Sequence, residues 1–481
     1  MGVLQGLKPE SVWKYFEELC SIPHGSHNEK AVSDYCVAFA KARGLEVYQD
    51  DAWNVVIIKE ASAGYEDAEP LILQGHLDMV CEKKPDCDFD FKKDGLRLRA
   101  DGDYVYAEGT TLGGDDGIAV AYGLAILDDD RIVHPRLEVV FTTCEEVGME
   151  GAAALDVSML KGRTVLNLDS EEEGTLLVGC AGGCSAAIRL PVRRTKGRGV
   201  HVCLTVEGLQ GGHSGVEIDK ERGNANMLLA RGLAGLREVS DFLLISVAGG
   251  QKDNAIPRES RAKLLIPSDK TAAAEEFCRA YDAVLKKEYA AADPGVTVRL
   301  EVQEEQESEV LDEASSRKIA ALLLSLPNGV QAVSRDMEGL VETSLNLGIL
   351  ETGKDEILLR YSVRSSVETA KSWLTEKMGL IAEFCGGTTE LQGNYPAWEY
   401  RRDSGLREDM VRIYKQMFGA EPEVKTIHAG LECGILASKI PDMDCVSMGP
   451  DMLNIHTTEE KACISSVERM WNYILEILKR K

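Results

Sequence analysis

Short apolar runs that end in glycine or in a polar cluster recur through the first third of the chain. Residues 71–73, 137–143 and 164–168 contain three such runs. Runs of this length are typical of strands that are buried on both faces of a sheet. Apolar periodicity predicts helices at 11–21 and 118–127. Strands that alternate with helices indicate an α/β domain.

The order of the predicted elements changes at about residue 185 and changes back at about residue 395. Between these points, strands and helices follow each other as in two small α+β units in tandem, the second of them imperfect. We therefore predict one α/β domain made from residues 1–184 and 396–481, with an α+β domain inserted at 185–395. Such insertions are tolerated because the termini of a domain usually lie close together.

Composition narrows the class of protein. The chain has 481 residues, of which 44% are hydrophobic and 28% charged, and its formal net charge is −26. This length predicts at least two domains. The negative charge would repel phosphate, which argues against nucleic acid and anionic membranes as partners. We expect no membrane span and no signal peptide. Thirteen cysteines without a pairing pattern fit a reducing cytoplasm.

The first apolar run leads into the segment Gly75-His76-Leu77-Asp78. Side chains two apart on extended backbone point to the same side. The carboxyl ends of strands are also where open α/β sheets bind ligands. His76 and Asp78 are therefore candidates for a metal site. Taken alone, His-x-Asp is more typical of a hydrogen-bonded structural histidine.

Two acidic pairs follow other predicted elements. Asp115 and Asp116 end a glycine-rich segment just before the helix at 118–127. One Asp suffices to cap a helix, whereas the glycines indicate that something approaches the backbone closely, so capping and metal binding both stay open. Glu145 and Glu146 end the second strand and point in different directions. One could bind a metal while the other moves protons, although most Glu-Glu pairs are solvated surface charges.

Two more candidates complete the set. Asp169 ends the third strand, and His456 lies near the C-terminus. Imidazoles combined with carboxylates suit Zn²⁺, or Mn²⁺ and Co²⁺, better than Mg²⁺ or Ca²⁺, which prefer oxygen alone. A carboxylate can also bridge two ions about 3.5–4 Å apart. His24 and His27 lie on a Gly/Ser turn, where histidines are typically exposed to solvent, and we assign them no role.

Five segments, GHLDMV, GGDDGIA, CEEVG, LNLDS and NIHTTEE, together resemble the co-catalytic di-zinc aminoacylase/carboxypeptidase-like peptidases. GGHSG and KDNAIPRE extend the resemblance into the inserted part, so that it covers essentially the full length. Within this family the chain is most similar to the bacterial aminoacyl-histidine dipeptidases. The resemblance implies a catalytic domain with a mixed, mostly parallel sheet flanked by helices, and an inserted α+β lid.

The resemblance also implies which residues would hold two divalent ions. One ion would be bound by His76 and Asp169, and the other by Glu146 and His456. Asp115 would bridge them, because the bridging residue of the family is the first of the Asp-Asp pair. Zinc is the expected metal, with manganese or cobalt as alternatives.

Two further roles in the same domain follow from the resemblance. Asp78 would orient its metal-binding histidine by accepting the hydrogen bond of the far ring nitrogen. Glu145 would be the general base that takes a proton from water and passes it to the leaving amine.

The inserted part would supply substrate contacts. His213 would stabilise the developing oxyanion, and Asn254 and Arg364 would hold the substrate, Arg364 through the C-terminal carboxylate. His428 and Gly430 correspond to residues that line the substrate pocket in relatives.

The function implied by the resemblance is that of a cytoplasmic dipeptidase acting on unblocked L-dipeptides, including Xaa-His types such as β-alanyl-histidine. A deacylase of N-acyl amino acids or a tripeptide aminopeptidase is the alternative within the family. An acidic binding protein that has lost catalysis is the alternative from another class. Because the lid of many relatives also forms the dimer contact, we expect a homodimer through the lid, unless the second α+β unit replaces the partner.

Overall fold

The computed structural model describes residues 2–480, which form two compact units. The first unit contains residues 2–180, 400–426 and 431–480, and the second contains 181–399 and 427–430. The short segment 427–430 belongs to the second unit, although its position in the sequence predicts the first domain. Catalysis by the first unit and a lid role for the second stay predictions.

The helices within residues 2–480 are α1 (Glu10–Cys20), α2 (Lys30–Ala42), α3 (Gly114–Asp128), α4 (Glu150–Ala154), α5 (Ala225–Val239), α6 (Thr271–Glu288), α7 (Glu313–Ser325), α8 (Glu368–Phe384), α9 (Gly405–Phe418), α10 (Glu432–Lys439) and α11 (Ile464–Ile477). The strands of the first half of the chain are β1 (Glu46–Gln49), β2 (Val55–Lys59), β3 (Leu71–His76), β4 (Leu98–Asp101), β5 (Tyr104–Ala107), β6 (Leu137–Thr142), β7 (Thr164–Asn167), β8 (Thr175–Cys180), β9 (Gly182–Pro191), β10 (Arg194–Glu207) and β11 (Gly212–His213). The remaining strands are β12 (Leu243–Gly249), β13 (Ala255–Ile256), β14 (Ser260–Ile266), β15 (Thr297–Leu311), β16 (Gly329–Val333), β17 (Val341–Thr352), β18 (Glu356–Ser365), β19 (Thr388–Tyr395), β20 (Glu423–Ile427), β21 (Asp444–Ser447), β22 (Met452–Leu453) and β23 (Lys461–Cys463).

The central sheet of the first unit has the strand order β1-β2-β6-β3-β7-β21-β8-β20. The four strands β6-β3-β7-β21 pair in parallel, whereas β1, β2 and β8 join antiparallel. The predicted α/β fold with a mixed sheet is confirmed, with parallel pairing among its central strands. Every residue of β2, β3, β6 and β7 is buried, which explains why these strands are apolar without alternation.

The central strands bring three of the sequence motifs to one edge. In the parallel register His76 pairs with Thr142, and Gln74 pairs with Asn167. The chain then leaves β6 towards the Glu145-Glu146 pair and leaves β7 towards Asp169. Because carboxyl ends of parallel strands lie at the same edge, the polar side chains that follow them are neighbours.

A small four-stranded sheet carries the last motif. Its order is β22-β23-β5-β4, and β4 and β5 form a hairpin around residue 102. Strands β22 and β23 pair antiparallel through Met452 with Ala462 and Leu453 with Lys461. His456 lies in the loop between them, with φ of 60°. Such a backbone angle is uncommon for a residue other than glycine and is enriched at functional sites.

The second unit is built on one sheet of nine strands, ordered β15-β10-β14-β12-β17-β18-β9-β19 with β16 on β17. Apolar side chains of α5, α6, α7 and α8 share a single core with these strands. The two predicted tandem units are therefore halves of a continuous sheet, joined where β12 pairs with β17. Strand β9, which opens this part of the chain, pairs with β18 and β19 of the later half, so the halves are interleaved.

Among residues 2–480, no helix combines the length and the apolar character needed to cross a membrane. All thirteen cysteines are free thiols.

Candidate metal centre

The carboxylate of Asp115 lies between two imidazoles. Its Oδ1 is 3.1 Å from Nε2 of His76, and its Oδ2 is 3.0 Å from Nε2 of His456. The three side chains come from the end of β3, the start of α3 and the β22–β23 loop. A carboxylate that presents one oxygen to each of two histidines has the arrangement needed to bridge two cations.

A second carboxylate stands beside each histidine. Asp169 Oδ1 is 3.5 Å from Nε2 of His76, and Glu146 Oε1 is 3.0 Å from Nε2 of His456. Ligand atoms about 2.0–2.2 Å from a tetrahedral Zn²⁺ lie about 3.4 Å from each other, which is close to these separations. Oε1 of Glu146 is buried without a hydrogen-bond partner. A cation bound to this oxygen would offset the cost of burying it. The five predicted ligands thus converge, and their donor atoms fit a pair of zinc-class ions.

The site carries an excess of negative charge. Burial lowers the pKa of His76, but the Asp169 charge and the hydrogen bond with Asp115 outweigh it and raise that pKa well above its usual range. The hydrogen bond with Asp115 and the neighbouring Glu146 carboxylate raise the pKa of His456 to about 10. Burial raises the pKa of Asp169 to about 6. The raised pKa values of the two histidines reflect the excess of negative charge in the site. Bound cations would balance this negative charge.

Glu145 is the free carboxylate beside the cluster. It lies within ligand distance of His76 and Glu146, the potential ligand atoms of all three being within 4.8 Å of one another. Burial raises its pKa well above the usual range. A carboxyl group with a raised pKa next to the reacting atoms can accept and then release a proton near neutral pH.

Asp78 ties the end of β3 to the segment that carries Glu145 and Glu146. Its Oδ1 accepts from the backbone N–H of Glu145 at 3.0 Å, and its Oδ2 accepts from that of Glu146 at 3.3 Å and from Ser26 Oγ at 2.8 Å. Nδ1 of His76 faces this residue, 3.5 Å from the carboxylate and 3.0 Å from the backbone oxygen. The far ring nitrogen therefore has Asp78 as its partner, with the backbone oxygen as the closer acceptor.

Asp116 faces a different group from its neighbour. It is buried, and its Oδ2 accepts from the backbone N–H of His76 at 3.1 Å. Asp116 therefore holds the end of β3, whereas Asp115 faces both imidazoles. This contact explains the role of the second Asp of the pair, for which the sequence left capping and metal binding both open.

Glu460 was not singled out from the sequence. Its carboxylate accepts from the backbone N–H groups of Leu112 at 2.8 Å, Gly113 at 3.2 Å and Gly114 at 2.8 Å. This carboxylate is what approaches the glycine-rich backbone before Asp115. The Glu-Glu pair that closes NIHTTEE was the only signal for it.

A buried polar network behind the site was also missed. Glu432 Oε2 accepts from Gln74 Nε2 and from Thr142 Oγ1, each at 2.6 Å. Asn167 extends the network by donating to Gln74 at 2.5 Å. These side chains connect β3, β6 and β7 directly below their polar ends. Burial raises the pKa of Glu432 to about 8.

The predicted substrate residues lie in the second unit. His213 on β11 pairs with Ala255 on β13, which follows Asn254. The backbone oxygen of Asn254 accepts from the backbone N–H of Ser214 at 2.9 Å.

 This backbone hydrogen bond between Ser214 and Asn254 fixes the turn that carries His213. His213 therefore lies on this pair of short strands, and Asn254 lies directly before β13.

The ring of His213 has a defined orientation. Its Nδ1 accepts from the backbone N–H groups of Gly215 at 3.1 Å and Val216 at 3.3 Å. Burial, and then the charge of Arg364, lower the pKa of His213. The neutral ring therefore carries its proton on Nε2 and can donate from there.

Arg364, His428 and Gly430 complete the predicted substrate residues of this unit. Arg364 donates from Nη1 to Tyr395 Oη at 2.9 Å, while its Nε is buried without a hydrogen-bond partner. His428 is buried, with its Nε2 2.7 Å from Ser344 Oγ. Burial, and then the charge of Arg364, lower the pKa of His428 to about 4. Gly430 is partly buried in the same segment as His428.

The two histidines near the start of the chain differ. His24 is 5% exposed, and its Nδ1 lies 2.5 Å from the backbone oxygen of Ile22. The expectation that both histidines face solvent is therefore wrong for His24, because its ring packs inside the first unit. His27 is exposed.

Comparison with known proteins decides the family. The model of the family described as "Peptidase family M20/M25/M40" matches residues 72–480. The chain belongs to this peptidase family. The family membership predicted from the five motifs is thereby confirmed.

Two known proteins align with this chain over almost its full length. The cytosol non-specific dipeptidase of Escherichia coli (strain K12) is 38% identical over 481 residues, which are 100% of this chain and 99% of that protein. The crystal structure of the aminoacylhistidine dipeptidase from Vibrio alginolyticus matches with a TM-score of 0.95 and 37% identity, covering 99% of this chain and 97% of the other. The aminopeptidase PepT from Bacillus cereus ATCC 10987 shares the fold, with a TM-score of 0.59, 15% identity and 98% coverage of both chains.

Proposed function

We propose that this chain is a dipeptidase that works with two divalent metal ions. One ion would be held by His76 and Asp169, the other by Glu146 and His456, and both by Asp115. The observation that carries the proposal is the Asp115 carboxylate, whose two oxygens lie 3.1 Å and 3.0 Å from the two imidazoles. Zinc is the proposed metal because mixed nitrogen and carboxylate donors favour it, with manganese and cobalt as alternatives.

When bound, the two ions would supply Lewis acidity that lowers the pKa of a water molecule towards about 7 and polarises the scissile carbonyl group. Glu145 would accept a proton from the attacking water and deliver it to the leaving amine. Its raised pKa and its place beside His76 support this role. Asp78 would fix the geometry, because one carboxylate accepts from the backbone of both Glu145 and Glu146.

We propose that His213 donates from Nε2 to the oxyanion that forms during attack. Two backbone N–H groups already occupy Nδ1, so the donor is oriented before substrate binds, and such preorganisation is what makes oxyanion stabilisation effective. Closure of the second unit as a lid would bring this ring to the substrate and exclude water.

The same unit would hold the substrate ends. Arg364 would pair with the C-terminal carboxylate, since its buried Nε has no partner and guanidinium groups bind carboxylates through two N–H groups. Asn254 would hold the substrate on the neighbouring turn. His428 and Gly430 would line the pocket, and the lowered pKa of His428 keeps its ring uncharged beside Arg364.

The proposed substrates are unblocked L-dipeptides, including Xaa-His types such as β-alanyl-histidine. The names of the two full-length relatives, a non-specific dipeptidase and an aminoacylhistidine dipeptidase, support this class. The test compares free dipeptides, tripeptides and N-acetyl amino acids, with chelated protein and with protein reloaded with zinc. We expect metal-dependent hydrolysis of the dipeptides alone. Preferred cleavage of tripeptides or of N-acetyl amino acids would assign the chain to the alternative activities, and no hydrolysis by metal-loaded protein would indicate a binding protein.

We further propose that the protein acts in the cytoplasm as a homodimer through its second unit. The free thiols and the name of the cytosolic relative support the compartment. Sedimentation of the active protein tests the assembly. A fully active monomer would contradict the dimer and favour a second unit that replaces the partner.

A further inference from the structure

A second group of potential metal ligands lies in the first unit, outside the five proposed ligands. It consists of His27, Cys144 and Glu150, whose donor atoms all lie within 4.8 Å of one another. His27 and Glu150 are exposed and Cys144 is half-buried, so a solvated ion could reach them. We propose that these three side chains bind a third cation of the zinc class.

The separation of the donor atoms suits one tetrahedral ion. Nδ1 of His27 is 3.4 Å from Sγ of Cys144. Nitrogen about 2.1 Å and sulfur about 2.3 Å from a tetrahedral Zn²⁺ lie about 3.6 Å apart. The two atoms need to move apart by only about 0.2 Å to take up this geometry. Thiolate and imidazole ligands also select Zn²⁺ or Co²⁺ over Mg²⁺ and Ca²⁺.

Glu29 provides an independent sign of a missing positive charge. This residue is fully buried, and its Oε2 has no hydrogen-bond partner. Its Oε1 accepts from the backbone N–H groups of His27 at 3.0 Å and Cys144 at 3.1 Å, and lies 3.1 Å from Cys144 Sγ. The carboxylate therefore borders the cluster while one of its oxygens stays unsatisfied.

The structure pairs these acids with no basic side chain in the described part of the chain. Within residues 2–480, neither Glu29 nor Glu150 forms an ion pair with a lysine or an arginine. A buried carboxylate without a positively charged partner destabilises the folded state. A divalent ion next to Glu29 would offset that cost, and Glu29 could act as a fourth ligand through a small rotation.

The position of the site gives it a consequence for catalysis, which rests on the proposed function. Cys144 immediately precedes Glu145, the proposed base. An ion bound to Cys144 would restrain the backbone next to Glu145 and so limit the movement of its side chain. Excess zinc should therefore slow dipeptide hydrolysis by wild-type protein more than by a Cys144→Ser variant.

Cobalt is the probe for the third site, because none of the five proposed ligands of the ion pair contains sulfur. Reduced full-length protein is titrated with Co²⁺ while bound metal and the near-ultraviolet spectrum are followed. Wild-type protein should bind one more equivalent than Cys144→Ser and should show a sulfur-to-cobalt charge-transfer band that the variant lacks. His27→Asn should weaken the binding associated with this band by at least about tenfold, since losing an outer-shell partner alone typically costs about 10–100-fold.

Cys81→Ser is the matched control, since Cys81 is an exposed thiol of the same unit outside the cluster. It should keep the band and the full number of bound ions. A saturated wild-type protein without the band, or a band that persists in Cys144→Ser, would overturn the third site. Failure of the proposed function is distinguishable, because loss of the ion pair would remove the other two equivalents and leave the sulfur band.

Discussion

Nε2 of His456 lies 3.0 Å from Oδ2 of Asp115, although 341 positions separate the two residues in the chain. This contact joins the β22–β23 loop to the start of α3. The same Asp115 carboxylate presents its other oxygen to the histidine that ends β3. The proposed ion pair depends on this geometry, and the following experiments test the groups that create it.

The first prediction separates the proposed base from the neighbouring ligand. Glu145→Gln should retain both ions but lose at least about 10²-fold in kcat, because only the proton carrier is removed. Glu146→Gln should instead release one ion, since its Oε1 faces His456. Metal analysis alongside dipeptide kinetics checks both. If Glu145→Gln lost metal and Glu146→Gln kept it, the two assignments would be exchanged.

The second prediction concerns Glu460, whose carboxylate accepts from three successive backbone N–H groups before Asp115. Glu460→Gln would turn an amide N–H₂ group towards some of these donors. Hydrogen bonds to a charged group contribute about 1.5–3 kcal/mol, so we expect a lower melting temperature and metal affinity weaker by about 10–100-fold.

Glu459 offers a matched control for that experiment. It is exposed and pairs with Lys84 at the surface, where ion pairs contribute little to stability. Glu459→Gln should therefore leave stability and metal affinity nearly unchanged. Equal effects of the two substitutions would contradict a positioning role for Glu460.

The third prediction tests the proposed oxyanion donor. His213→Gln should lower kcat by about 10²- to 10³-fold, as for the removal of other oxyanion donors, with little change in KM and none in metal content. His201→Gln is the control, because His201 contacts Ser308 within the second unit and has no proposed role. A large loss of metal in His213→Gln, or an unchanged kcat, would refute the assignment.

The fourth prediction follows from the buried carboxyl group of Glu432. Burial raises its pKa in the folded protein from 4.5 to about 8, so the folded state retains a proton that the unfolded state has released. The stabilising effect of this proton is fully present below pH 4.5 and is lost as the pH rises through 8. Glu432→Gln cannot ionise and should avoid that loss.

Urea unfolding of chelated protein at several pH values between 5 and 8 measures the effect. The free energy of unfolding of Glu432→Gln, relative to wild type, should rise across this range by at least about 1.4 kcal/mol, which corresponds to a tenfold change in proton binding. Chelation removes any contribution from metal release. A difference that is constant with pH would show that Glu432 is ionised throughout.

The strands and most helices could be predicted because burial leaves a pattern in the sequence. Every residue of β3 and β6 is buried, and both appear as uninterrupted apolar runs. The long strand β15 leaves no such pattern, since its middle is exposed and highly polar. The continuous sheet of the second unit was missed because periodicity indicates which residues face a core but not which strands pair.

The candidate site shows the same limit. His76 and Asp169 could be placed at neighbouring strand ends from their positions in the chain, but nothing local connects His456 with Asp115, and only the family resemblance joined them. Glu460 was overlooked because it acts on backbone N–H groups, which leave no side-chain pattern to match. The glycines before Asp115 indicated a close approach without identifying the approaching group.

The most direct test of the central claim is anomalous diffraction at the zinc absorption edge from crystals of the zinc-loaded protein. We predict two peaks about 3.5–4 Å apart, one on each side of the Asp115 carboxylate, the first next to His76 and the second next to His456. A single peak, or two peaks that do not share Asp115, would contradict the proposed ion pair.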